Sequence, residues 1–253
     1  MVVNGQGGFK QGQKPSTLFS NRGSPCLPLP EPIADQIIAD KIKEWEQKKQ
    51  ELKVGKGIKE IKPHPFLTIA RDFGCREEEI IPGLEKSLGW KVYGRNMLDH
   101  LARREQLSRS FIETLDEHRQ NLIENWINFL IHSGSIMQHD YVVKISRLIK
   151  VIVAQENAIF LGRGINYILE DKKEGLRVRL TAPLTQRIKN ISRLRNISEK
   201  EAEDLIIKTD QERRDFIKQN FKRDFDSCEG YDLVFNTTNF SNELIFKTIA
   251  LFF

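Results

Sequence analysis

Phe66-Leu67-Thr68-Ile69-Ala70-Arg71-Asp72-Phe73-Gly74-Cys75-Arg76-Glu77-Glu78-Glu79-Ile80 is the stretch that decides the fold. Phe66 to Ala70 is a short, mostly apolar run of the kind found in a strand buried on both faces. Gly74 marks a turn, and the polar residues after it open a helix. A strand, a glycine turn and a helix in that order make a unit in which backbone N–H groups hold phosphate. Such a loop needs glycines for close backbone approach and a cation to meet the phosphate charge. Here one glycine remains, and Glu77, Glu78 and Glu79 stand where phosphate would arrive. Proline belongs in a first helical turn, so Pro82 predicts a helix from about 82 to 88 that ends at Gly89.

Further along the chain, residues 96–105, 111–131 and 139–155 read as helices, the second opened by a capping box of Ser110 and Glu113. Ala158 to Leu161 and Leu176 to Ala182 read as strands, and Tyr231 to Thr237 as the last one. Pro183 starts a helix. Ser198-Glu199-Lys200-Glu201 caps a long basic helix reaching about 222, and 241–251 is the closing helix. Strands separated by helices imply a parallel sheet with helices on both faces.

Upstream, residues 1–30 are rich in Gly, Gln, Ser, Pro and Lys, which predicts a disordered basic arm. Residues 31–62 form an amphipathic helix and a linker: Ala34, Ile38, Ile42, Trp45 and Leu52 share a face, and Gly55, Gly57 and Pro63 interrupt the pattern. Two uses are open to this helix, packing on its own domain or docking to another protein. Residues 63–253 make the globular domain. Residues 1–65 hold 11 Lys+Arg against 7 Asp+Glu, so the arm accounts for most of the net charge of +5. A solvated tail is the expected reading of that charge, and nucleic acid is not the expected partner.

No apolar run approaches the ~18–20 residues of a membrane span. Met1 to Gly5 lacks the basic and apolar regions of a secretion signal. Cys26, Cys75 and Cys228 are odd in number and far apart, which predicts free thiols and a cytoplasmic location. The histidines show no metal spacing, and no metal site is expected.

Phosphoryl transfer requires in-line geometry and positive charge around the moving group. Gly162-Arg163-Gly164 follows a strand end, where ligands bind in open α/β sheets; a plain tight turn is the other reading. Arg187 lies one turn into the helix after Pro183. Asp210-Gln211-Glu212-Arg213-Arg214 through Arg223 places cations on a long helix and its exit, as a lid would; pairing of Arg213 and Arg214 with Asp210 and Glu212 on a solvated surface is the alternative.

Several segments in order carry a family resemblance. They are Leu67 to Gly74, Leu84 to Gly89, Leu115-Asp116-Glu117, Ile159 to Gly164, Ala182-Pro183-Leu184, Asp210 to Arg213, and Tyr231 to Thr237. Over residues 66–238 the chain resembles the cytidylate-kinase-like branch of the P-loop nucleoside monophosphate kinases. The resemblance implies a three-layer α/β fold, with a P-loop NTPase-like parallel sheet, helices on both faces and a helical lid. It implies nucleotide-binding positions at Arg71, Gly74, Arg76, Gly162, Arg163, Gly164, Arg187, Arg213, Arg214 and Arg223. If the chain is active, Arg163 and Arg213 are the catalytic residues and ATP with Mg2+ the cofactors; otherwise no cofactor is expected.

Departures from the family concentrate at the loop. The family typically reads Gly-Ser-Gly-Gly-Arg-Glu-Ile, where this chain has Gly74-Cys75-Arg76-Glu77-Glu78-Glu79-Ile80. Two glycines have become Arg76 and Glu77, and the phosphate cation has become Glu78. Gly94 replaces the aspartate usual after the paired aromatics. The expectation is a nucleotide-binding fold with weak or no phosphoryl transfer, serving as a regulatory or structural partner in a protein complex through residues 1–62. The alternative is an active kinase that passes the ATP γ-phosphate to CMP or a similar acceptor, with Arg76 and the lid arginines in place of the loop cation.

Overall fold

A computed structural model describes residues 31–54, 64–171 and 173–253; the arm at 1–30 and most of the linker lie outside the described residues. Five strands form one parallel sheet: β1 (Phe66–Arg71), β2 (Lys91–Tyr93), β3 (Ala158–Leu161), β4 (Gly175–Thr181) and β5 (Leu233–Asn236), in the order β2-β3-β1-β4-β5. Period-two alternation assigns the sides. Phe66 and Ala70 face one core with Phe160, while Leu67 and Ile69 face the other with Ile159 and Leu161. Both faces of β1 and β3 are therefore covered, which is why both are largely apolar, with charge entering β1 only at its last residue, Arg71. The sequence reading has no counterpart for β2, because three residues at a sheet edge are too few to show a period.

Helices α2 (Glu77–Leu88) and α10 (Asn242–Ala250) cover one face. The other face carries α1 (Glu31–Val54), α3 (Arg95–Arg103), α4 (Glu105–Glu113), α5 (Glu117–His132), α6 (Asp140–Gln155) and the short α7 (Ile165–Ile168). A hairpin of α8 (Leu184–Arg195) and α9 (Glu199–Phe221) closes over the strand ends through Phe73, Ile191, Ala202 and Ile206. The capping box of Ser198 and Glu201 opens α9 as its sequence requires. The apolar face of α1 packs within this chain: Ile38 and Trp45 have 0% exposure, and the Trp45 ring meets Phe111 at 4.7 Å. Lys49 adds hydrogen bonds of 2.8 Å to the Glu113 and Leu115 carbonyls.

Two sequence expectations are corrected. α2 begins at Glu77 and contains Pro82, where a start near 82 is expected from the proline rule. An interior proline costs about 3 kcal/mol. Burial of Ile80, Ile81 and Leu84 against the sheet contributes about 1.5–3 kcal/mol for each side chain, so packing prevails. The Ser110/Glu113 capping box is also absent. α4 runs through Ser110, the chain breaks at Thr114 to Asp116, and the Asp116 carboxylate caps α5 by accepting from the Arg119 N–H.

The topology positions the site. From β1 the chain crosses to the edge strand β2, whereas from β3 it crosses back over β1 to β4. The carboxyl ends of β1 and β3 thus flank the switch point at which open α/β sheets hold ligands.

Candidate functional site

At the end of β1 the backbone turns through Gly74, with φ of +88°. A Cβ there would lie 3.0 Å from the Arg187 carbonyl and 2.8 Å from Ile191 Cγ1, so the turn and the packing of α8 both require glycine. Arg76 follows in the left-handed region at φ 66° and precedes α2 without a side-chain cap. Its guanidinium donates to the Thr237 carbonyl at 3.0 Å and to Glu79 and the Asn242 side chain. Arg76 therefore points toward the β5–α10 side. The compensating cation expected of it is not delivered to the switch point.

Glu77 occupies that place instead. As the first residue of α2 it is 8% exposed, and its carboxylate accepts from Arg71 Nε. Arg213 of α9 lies 3.8 Å from the other carboxylate oxygen and donates to the Arg71 carbonyl at 2.7 Å. Burial pushes the Glu77 carboxyl upward, but the Arg71 and Arg213 charges outweigh it and hold it below its ordinary value. Burial and the neighbouring Arg71 lower Arg213, against the pull of Glu77 and Asp210. Glu78 is displaced from this cage. Burial raises its carboxyl, its own backbone N–H opposes that, and Glu77 and Glu79 raise it further.

A second carboxylate ties the lid helix to the loop. Asp210 accepts from the Phe73 N–H at 2.8 Å and from Arg187. Arg187 also donates to the Ala182 and Phe73 carbonyls at 3.0 and 3.1 Å, and Asn190 donates to the Gly74 carbonyl at 2.9 Å. Arg195 and Arg213 lie over the Phe73 ring at 5.3 and 5.6 Å. Gly162 meets the same cluster from β3, since a Cβ there would lie 2.7 Å from Arg71 Nη1.

Of the residues singled out from sequence, Arg71, Gly74, Gly162, Arg187 and Arg213 converge at the switch point. Arg163 turns toward the helical layer, where it pairs with Asp99 and lies over the Phe216 and Tyr141 rings at 5.0 and 5.3 Å. Tyr141 donates to the same Asp99; burial raises its phenol well above the ordinary value, Arg163 opposes that and Asp99 adds to it. Gly164 lies under the Phe221 ring. Arg214 binds Asp226 at 2.7 Å, a carboxylate that Arg179 links to Asp72 beside the loop, and Arg223 binds Glu170 at 3.0 Å. The solvated pairing of Arg213 with Asp210 is not what the structure shows, because both side chains face the loop. Sequence reading missed the inward position of Glu77, the bridging role of Asp210, and Arg195 and Asp99. Only a carboxylate at a family glycine position signals the first of these.

The model of the cytidylate kinase-like family matches residues 66–239. The chain belongs to the cytidylate kinase-like family. Among curated proteins, none matches it. An uncharacterized protein from Eubacterium ventriosum shares the fold of this cytidylate kinase-like chain. Its crystal structure gives a TM-score of 0.57 at 18% identity over 74% of this chain and 99% of that one. TT1252 from Thermus thermophilus matches with TM-score 0.37 and 17% identity, over 75% of this chain and 98% of its own. Shikimate kinase from Bacteroides thetaiotaomicron matches with TM-score 0.37 and 11% identity, over 74% of this chain and 94% of its own. Among the described residues no helix is long and apolar enough to cross a membrane.

The cytidylate kinase-like loop does not fit a triphosphate as it stands. The carboxylate of Glu77 lies between Arg71 and Arg213, the arginines that face the switch point.

Proposed function

We propose that this cytidylate kinase-like chain keeps the kinase architecture with weak or no phosphoryl transfer, and acts as a regulatory or structural partner in a protein complex. The observation that carries the reading is the Glu77 carboxylate held by Arg71 and Arg213, with Arg76 turned away. A carboxylate about 4 Å from a phosphate charge is repelled by about 4 kcal/mol at an effective dielectric near 20. At about 1.4 kcal/mol per decade, that is roughly three powers of ten in affinity or rate, before the missing cation is counted. With the apolar face of α1 buried in its own domain, the arm and the outer side of α1 are the elements proposed to meet a protein partner.

One observation favours the rival, an active kinase using ATP with Mg2+ and CMP or a similar acceptor. Arg71, Arg187 and Arg213 still gather at the switch point. A single assay separates the two. The full chain with CMP and Mg-ATP is expected to form no CDP above background. CDP formation that Arg213→Ala abolishes, in a variant that keeps the wild-type melting temperature, would establish the kinase instead.

A further inference from the structure

Arg71 and Arg213 present donors from two different elements, the end of β1 and the middle of α9, and converge on one carboxylate. Arg195 adds a third positive charge acting on the same group. Among the described residues, Glu77 is the carboxylate placed against both Arg71 and Arg213. Asp210 is 3.9 Å from Arg213 and is itself engaged by the Phe73 N–H and Arg187. A buried cluster of like charge collapses unless an anion sits within it. Planar guanidinium groups suit carboxylate and tetrahedral oxyanions alike. The occupant is attached to the chain, so it competes with free anions at an effective concentration set by its tether.

We propose that Glu77 is a tethered stand-in for an oxyanion, which keeps the Arg71–Arg213 site closed to phosphate, and that removing its charge opens the site to the phosphate of a small molecule. The ligand class is a tetrahedral oxyanion, either inorganic or the terminal phosphate of a nucleotide. The inference rests on the proposed loss of phosphoryl transfer and adds the residue that controls the site. Because Arg213 rides on α9, the same carboxylate also holds the lid helix against the β1 loop.

The test uses the full chain as wild type, Glu77→Gln, Glu77→Ala, and Glu77→Ala combined with Arg213→Ala. Inorganic pyrophosphate is added against chloride of equal ionic strength, with ADP as a second arm, and melting temperature and calorimetric heat are read. Both single variants are expected to melt higher with pyrophosphate and to bind it about tenfold or more tighter than wild type. The double variant is expected to lose that gain. Tighter binding of ADP than of pyrophosphate assigns the site to a nucleotide, and equal binding assigns it to the inorganic ion. If Glu77→Ala unfolds in chloride, pyrophosphate should restore its helical circular dichroism. Folded variants that bind no better than wild type, a double variant that keeps the gain, or no recovery in pyrophosphate would each overturn the proposal. Wild-type turnover of CMP would overturn both the inactive reading and the closed site, whereas folded variants that bind no better than wild type would overturn this proposal alone.

Discussion

Glu77 and Glu78 are chemically identical neighbours whose carboxyls shift in opposite directions, because one faces two guanidiniums and the other does not. With its folded value lowered, Glu77 contributes stability that is present above the ordinary carboxylate value near about 4.3 and is lost as pH falls through the folded value. Glu78 has the opposite sign, and costs stability as pH rises through that range. Urea unfolding of wild type and Glu77→Gln across the acid range isolates the first effect. Wild type should lose stability more steeply below about pH 4.3 than the variant. Parallel curves would mean that the Glu77 ion pairs contribute nothing. Which carboxylate faces inward was not legible in the sequence, since each residue turns a helix by about 100° and the answer depends on where α2 starts. A start at 82 leaves residues 77–79 in a loop, whereas a start at 77 fixes Glu77 toward β1 and α9.

Among the elements, those with buried apolar runs were legible. β1 and β3 read correctly because both of their faces are covered, β4 because Leu176, Val178 and Leu180 alternate toward one core, and the Ser198 capping box located the start of α9. Elements decided by competition were not. Pro82 argued against the first turn of α2 until the burial of Ile80 and Leu84 was counted. The break between α4 and α5 follows Asp116, while Ser110 and Glu113 carried a capping signature that packing on α6 overrides. The two uses open to the first helix are now distinguishable by mutation. Trp45→Ala should cost about 3–5 kcal/mol of unfolding free energy, as for a fully buried indole, measured by urea denaturation. An unchanged midpoint would mark α1 as a detachable docking element.

At the scale of the molecule, a parallel sheet covered on both faces follows from a few apolar runs and their separating helices; the strand order does not, because β2 is too short to leave a signal. The site does not, because Arg71, Glu77, Arg187, Asp210 and Arg213 are brought together from β1, α2, α8 and α9 by tertiary closure alone. The arginines were legible as candidates through their places at strand ends and on the lid helix. Their partners were not, since ion pairing across large sequence separations leaves no local pattern. Arg163, Arg214 and Arg223 illustrate the cost: each looks like a phosphate ligand in sequence, and each pairs with a carboxylate elsewhere. The most direct measurement is a crystal structure of the full chain grown in excess Mg-ATP. Glu77 is expected to remain between Arg71 and Arg213, with no phosphate between them. Phosphate density touching both arginines, with Glu77 swung out, would contradict the central claim.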